Sequence, residues 1–320
     1  LIESRLCTLL DIPHPILQGG MAWVSRAELA AAVSEAGALG IIGAGLMTPD
    51  ELQAEIRRTQ TLTSRPFGVN VILVAPHVME LIDVVLEEGV PVLTTGAGNP
   101  GVLLGRIAEL PFGKQPVVIP VAASVPLVVR TERLGAKAVI VEGYEAGGHI
   151  GELTTMTLTS MATKKVSIPV IAAGGVVDGR AMAAALALGA EGVQMGTVFL
   201  TAKECTISDA WKERVLSAGD RDTVVTGRST GHPVRMLKNR LSRTILDMEK
   251  RGASPEEIYS LGEGRLKAAV EGNIVEGSIM SGQIAGLLQS SRTAREIIED
   301  TVREAAETVE HLSGIVSRPM

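Results

Sequence analysis

Aromatic side chains are nearly missing from this chain: Trp, Tyr and Phe make up 2% of 320 residues. Few stacking platforms are left for single-stranded nucleic acid, and core volume must come from Ala, Val, Leu and Ile. Cysteine is equally scarce. Cys7 and Cys205 are the only two; they form neither a CxxC nor a zinc spacing and read as reduced thiols. Neither stands in a glycine-rich strand-end loop, so a thiolate nucleophile is not expected. An excess of positive charge is absent too, since the net charge of -6 gives no electrostatic footprint for nucleic acid. No apolar run reaches the ~20 residues that span a bilayer. The opening stretch LIESRLCTLL lacks the charged and long apolar regions of a signal peptide. The expected location is therefore cytoplasmic, with no membrane contact. His, Cys and carboxylates nowhere cluster at metal-ligand spacing, and no metal is expected.

What is present is a rhythm. Hydrophobic residues make up 46% of the chain, and many fall in eight short, nearly continuous apolar runs. These are PILQGGM (15–21), LGIIGAG (39–45), FGVNVIL (67–73), VPVLTTGAG (90–98), PVVIPVA (116–122), AKAVIVEG (136–143), IPVIAAGG (168–175) and GVQMGTVF (192–199). Strands buried on both faces read this way. Between them lie helical patterns such as SRAELAAAVSEAGA, TPDELQAEIRRTQ and DGRAMAAALALGAE. Capping boxes are predicted at Ser25–Glu28 and Thr48–Glu51, the second with Pro49 at the first helical position. Eight β-α units predict an α/β fold, a (β/α)8 TIM barrel over residues 1–205, with a doubly wound open sheet as the alternative. After residue 205 the rhythm changes. PVRMLKNRLSRTILDMEKRG and SPEEIYSLGEGRLKAAVEG each predict one helix, the second capped by Ser254 and Glu257. Residues 206–275 are thus expected to form a small helical insertion. Residues 276–320 should supply the closing helices of the barrel and an amphipathic tail.

The active site of such a barrel lies at the C-terminal ends of its strands. Here those ends are small and polar: QGGMAW, Asn70 within GVNV, TTGAG, EGYEAGGH, AAGG and QMGT. Clustered glycines mean close backbone approach to a ligand. Ala173-Gly174-Gly175 and Met195-Gly196-Thr197 each precede a helical pattern, which is the usual barrel phosphate site, so a phosphate-bearing ligand is expected. GAGNPG at 96–101 satisfies G-x-G-x-x-G, yet no carboxylate ends the next strand and Pro100 sits where a helix should start. It reads as a barrel turn rather than a Rossmann nucleotide site. Among the histidines, His77 and His311 read as surface residues and His14 lies between prolines. His149 alone stands at a predicted strand end, which makes it the acid-base or hydrogen-bonding candidate.

Together PILQGGMAWV, FGVN, TTGAGNP, EGYEAGGHIGELTTM, IPVIAAGG, GAEGVQMGT and TGRSTGHPVRMLKN resemble the FMN-dependent enoyl-acyl-carrier-protein reductases (enoyl reductase II). The resemblance covers about residues 5–310. The GGM, GGH and AAGG…QxGT elements are shared with nitronate monooxygenases of the same flavin-barrel superfamily, whereas GELTTM and STGHPVRMLKN look more specific to the reductases. The resemblance implies that the FMN phosphate rests on Gly174, Gly175, Gly196 and Thr197, with Ala173, Gln194 and Met195 beside them. The flavin ring and ribityl chain would lie near Gly20, Met21, Ala22, Asn70, Glu142 and Gly148. His149 would face the substrate carbonyl over the flavin, and Met280 and Ser281 would close the site. It further implies reduction of the trans-2 double bond of enoyl thioesters on acyl carrier protein, NADH or NADPH as reductant, and a homodimer. The chemistry agrees: hydride addition to the β-carbon leaves negative charge on the thioester oxygen, which a His donor stabilises. In a nitronate monooxygenase the same histidine would steer an α-proton instead. Arg235, Lys238, Arg240 and Arg243 are expected along one helix, either as a docking face for an acidic carrier or as a solvated face.

Overall fold

A computed structural model describes residues 2–111 and 113–316. Each apolar run contains a strand. In chain order these are β1 (Ile16–Gln18), β2 (Gly40–Gly43), β3 (Phe67–Ile72), β4 (Val92–Gly96), β5 (Val117–Ala122) and β6 (Val139–Glu142). A two-residue β7 (Gly148–His149) comes after β6, then β8 (Val170–Ala173) and β9 (Gly192–Met195). All but β7 join one parallel sheet in the order β1-β9-β8-β6-β5-β4-β3-β2. Its two edges meet: the Leu39 amide donates to the Ile16 carbonyl and the Gln18 amide to the Leu39 carbonyl, each at 2.9 Å. The sheet therefore closes into a TIM barrel, and the open-sheet alternative falls.

Inside the barrel, Leu17, Leu39, Ile41, Val92, Ile119, Ile140 and Ile171 pack together. Leu6 and Leu10 of the helix Arg5–Leu10 join the same cluster. Branched aliphatics do here what aromatics do elsewhere. The outer faces of the strands pack on the surrounding helices in separate apolar clusters. No helix of the described residues is long and apolar enough to cross a membrane.

The capping box predicted at Thr48–Glu51 is formed, as is that at Ser254–Glu257. Replacing Thr48 by Ala should lower stability by about 1 kcal/mol, read as a lower denaturation midpoint at unchanged slope. The box predicted at Ser25–Glu28 is not formed. The helix Ala27–Glu35 has Arg26 at its N-cap. Ser25 is diverted into the preceding turn, where its Oγ accepts from the Met21 amide at 2.5 Å. Glu55, from a neighbouring helix, takes the Ala27 amide at 2.8 Å instead.

Residues 206–275 are not purely helical. They carry β10 (Thr223–Thr226) and β11 (Val234–Leu237) as well as helices Asp209–Leu216, Arg240–Lys250, Pro255–Gly262 and Arg265–Val270. The run PVRMLKN… is thus strand first and helix second. Asn239 caps the helix, accepting from the Ser242 amide at 2.9 Å. The second expected helix breaks at Gly264, whose φ is +70°. Consequently the four basic residues do not share a helix. Arg235 lies on β11 and is 3% exposed, Lys238 lies in the connection, and only Arg240 and Arg243 are helical. The docking face expected along one helix is therefore not formed, and buried Arg235 cannot belong to it. Strand β11 pairs antiparallel with β10 on one side and with β7 on the other. The inserted segment is thereby joined to the loop between β6 and β8.

Candidate active site

A cavity of about 740 Å³ opens at the C-terminal end of the barrel. Strand β1 delivers Gly20, Met21 and Ala22 to its wall. Only glycine fits at position 20, because a Cβ there would lie 2.2 Å from Asn70 Cβ. Asn70 lines the same wall, its Nδ2 donating to Thr94 Oγ1 at 2.9 Å.

Strand β6 ends in Glu142, which reaches the cavity at an otherwise protein-enclosed position. Among the described residues no ion pair or hydrogen bond offsets its burial, which pushes the carboxyl up to about 8. At neutral pH it is therefore mostly protonated.

The chain next forms the loop that carries His149. Gly148 takes φ +77°, and His149 sits in register with Val234 of β11. Its side chain is exposed to the cavity, with protein packed around it. That burial, reinforced by His232, holds the imidazole below its ordinary 6.5. At pH 7 it is a neutral ring with one N–H donor.

Ala173 ends β8, and with the pair Gly174-Gly175 it lines the cavity beside the neck of this loop. The two glycines take φ +94° and +75°. The amides of Gly174, Gly175 and Gly196 have no backbone partner among the described residues. Gln194 and Thr197 line the wall beside them, and Thr197 Oγ1 accepts from the Gly282 amide at 2.8 Å. Met280 lines the cavity from the same C-terminal segment. Three free amides, two of them on left-handed glycines, with a neutral carboxyl and a carboxamide in the same cavity, form a donor set suited to a phosphate-bearing, hydroxyl-rich ligand. A Cβ at Gly174 would approach Thr155 Oγ1 to 2.9 Å and the Ala146 amide to 3.0 Å. Gly174→Val should therefore weaken binding of the FMN that the sequence resemblance implies by roughly tenfold or more, on the strain expected at a positive φ. Fluorescence titration of FMN into stripped protein measures it.

All the sequence-predicted site residues line this cavity except Met195 and Ser281. Met195 is 1% exposed and packs in the outer apolar core. Side chains alternate along β9, so Gln194 faces inward and its neighbour cannot. Ser281 is also 1% exposed, with its hydroxyl donating to the Ile279 carbonyl at 3.4 Å. Met280 and Gly282 face the cavity in its place.

Sequence reasoning missed the outer wall. Leu46, Ile72 and Leu266 make it apolar, and Trp23 and Lys267 stand beside them. Trp23 takes φ +63°, and Lys267 Nζ lies 4.9 Å from its ring centroid. Glu145 was missed as well. Its carboxylate accepts from the Thr155 amide at 2.8 Å and the Thr155 hydroxyl at 2.9 Å, fixing the neck of the His149 loop. The turn at 96–101 is the barrel turn its sequence suggests, with Pro100 as the N-cap of helix Gly101–Ala108.

A TIM barrel whose strand ends bring a phosphate-type cradle and a neutral histidine into one cavity is the arrangement of a barrel enzyme that binds a phosphate-bearing cofactor or substrate. The chain belongs to the nitronate monooxygenase family, which it matches over residues 3–88 and 80–304. It is similar to FabK from Thermotoga maritima, with 49% identity, a TM-score of 0.95, and coverage of 99% of this chain and 100% of that one. It is 30% identical to nitroalkane oxidase from Streptomyces ansochromogenes, at TM-score 0.84 over 97% of this chain and all of that one. A (3aS,4S,5R,7aS)-5-hydroxy-7a-methyl-1-oxo-octahydro-1H-indene-4-carboxyl-CoA dehydrogenase of Mycobacterium tuberculosis is 35% identical over 98% of this chain and 99% of its own. These relationships make the chain a flavin-dependent oxidoreductase.

Proposed function

We propose that the chain reduces the trans-2 double bond of enoyl thioesters carried on acyl carrier protein, with FMN as cofactor and NADH or NADPH as reductant. The observation that carries this reading is the neutral His149 ring, lining the same cavity as the Gly174-Gly175 cradle. The 49% identity to FabK supports it. So does the 35% identity to a dehydrogenase whose name specifies a coenzyme A derivative, again an acyl thioester.

FMN bound here would supply the hydride transfer. The amides of Gly174, Gly175 and Gly196 would hold its phosphate. Gln194, Asn70 and Glu142 would offer hydrogen bonds to the polar remainder, and Gly20 leaves room for it close to the backbone. His149 donates its N–H to the thioester oxygen, where negative charge develops as the β-carbon is reduced. Leu46, Ile72 and Leu266 exclude water from the acyl group. Lys267, at the rim, offers positive charge to the phosphate of the carrier's prosthetic arm. The same reading carries a cytoplasmic homodimer.

The second reading is oxidation of alkyl nitronates, favoured by the family match and by the nitroalkane oxidase relative. An imidazole held below 6.5 is free at pH 7 to take or steer a proton beside a nitro group. The visible flavin spectrum under anaerobic conditions separates the two. Bleaching by NADH or NADPH, reversed by a trans-2-enoyl thioester, is the expected result. A flavin that stays yellow with both nucleotides and bleaches with an alkyl nitronate overturns the reductase reading.

A further inference from the structure

Arg235 is 3% exposed and lies on β11 directly opposite Gly148, one position from the Val234–His149 pair. Its guanidinium forks onto the Tyr144 carbonyl, Nε at 3.2 Å and Nη2 at 3.0 Å. Nη1 donates to Thr223 Oγ1 of β10 at 3.1 Å. The same guanidinium lies over the Tyr144 ring, 4.6 Å from its centroid. No carboxylate among the described residues pairs with it; Glu145 acts on it only at longer range. A buried cation without a counter-ion is expensive, and here the compensation comes from one backbone carbonyl, one hydroxyl and one ring.

That carbonyl and ring belong to the hinge of the His149 loop. Tyr144 lies two residues beyond the end of β6, and its amide donates to the Leu153 carbonyl at 2.8 Å, closing the loop at its neck. At the tip, the Ile150 amide donates to the Pro233 carbonyl at 3.1 Å, next to the β7–β11 pairing. From outside, the exposed Arg228 donates to the Tyr144 hydroxyl at 2.6 Å. The inserted segment therefore grips the loop at tip and neck, and one side chain ties the two grips together.

We infer that Arg235, supported by Arg228, is a positioning residue. It sets the place of the His149 ring over the barrel floor by clamping Tyr144 to the strand that pairs with His149. The inference rests on the role proposed above for His149. Lysine cannot replace it, because a single ammonium offers neither the planar fork nor the stack on the ring.

The test uses stopped-flow kinetics on flavin-loaded Arg235→Lys and Arg228→Ala, each alone and combined with His149→Ala. In Arg235→Lys, reoxidation of the flavin by enoyl thioester should slow about 10- to 100-fold, while its reduction by nicotinamide nucleotide stays within about twofold. The loss should fall on the maximal rate rather than on the thioester concentration required. Arg228→Ala should show the same pattern at about two- to fivefold. Both effects should vanish in the His149→Ala background. Wild-type reoxidation in Arg235→Lys, or an equal further slowing on top of His149→Ala, overturns the inference. Should Arg235→Lys fail to fold, Arg228→Ala decides alone: an unchanged reoxidation rate overturns the clamp. Should His149→Ala itself reoxidise normally, the proposed chemistry fails rather than the clamp. The His149 Cε1–H resonance then decides, shifted in Arg228→Ala if the clamp sets the ring's place and unmoved if it does not.

Discussion

His149→Ala should slow enoyl-thioester turnover by about 10²- to 10⁴-fold, the range for losing a positioned donor to a developing oxyanion. Flavin content and the rate of flavin reduction should stay within about twofold, because the free amides of the cradle belong to Gly174, Gly175 and Gly196 and the substitution removes only the His149 side chain. Stopped-flow separation of the two half-reactions measures both. His149→Gln should recover part of the loss, since its amide keeps an N–H donor. The pH profile refines the role. Burial first, and His232 second, hold the imidazole below 6.5, so a neutral donor should give a flat maximal rate from about pH 7 to 8.5. A requirement for the imidazolium would show instead as activity falling with rising pH throughout that range. Near-normal turnover in the alanine variant would remove His149 from the mechanism altogether.

The barrel strands are legible because parallel strands buried on both faces appear as unbroken apolar runs. Closure is not, since it depends on Leu39 meeting Ile16 across the two sheet edges, and neither residue carries a local mark of that pairing. The strand Val234–Leu237 reads as part of a helix because four residues show no period of their own. The available signal is Asn239, whose side chain caps the helix Arg240–Lys250 and so marks where that helix begins. In the site, glycine is the readable residue. Gly20 has no room for a Cβ, and Gly174 and Gly175 sit at positive φ, so backbone geometry dictates all three. Trp23 and Lys267 obey no such rule. They meet at the mouth only because the inserted helices fold back over the barrel. Arg235 escapes for the same reason: a cation in sequence reads as solvated, and only tertiary packing reveals it held on a carbonyl.

Replacing Glu142 by Gln should stabilise the flavin-free protein, and increasingly so as pH rises. Burial pushes the Glu142 carboxyl from 4.5 to about 8. Below about pH 4.5 the group is protonated in both folded and unfolded chains, and its ionisation has no effect on folding. Between about 4.5 and 8 the unfolded chain ionises while the folded one does not, so the parent loses stability with each step in pH; above about 8 the loss is complete. A shift of this size is roughly 5 kcal/mol at about 1.4 kcal/mol per unit. Cavity water screens part of it, leaving on the order of 2–3 kcal/mol. The Gln variant should therefore melt roughly 4–8 °C above the parent at pH 8.5 and close to it at pH 4.5. A difference in Tm that does not change with pH would mean that the carboxyl is ionised in the folded protein and the cavity floor is wetter than its burial implies. Repeating the titration with FMN bound identifies the partner the carboxyl gains. A donor from the ligand favours the ionised carboxylate and shrinks the difference, whereas an acceptor holds the acid neutral and widens the pH range over which the two proteins differ.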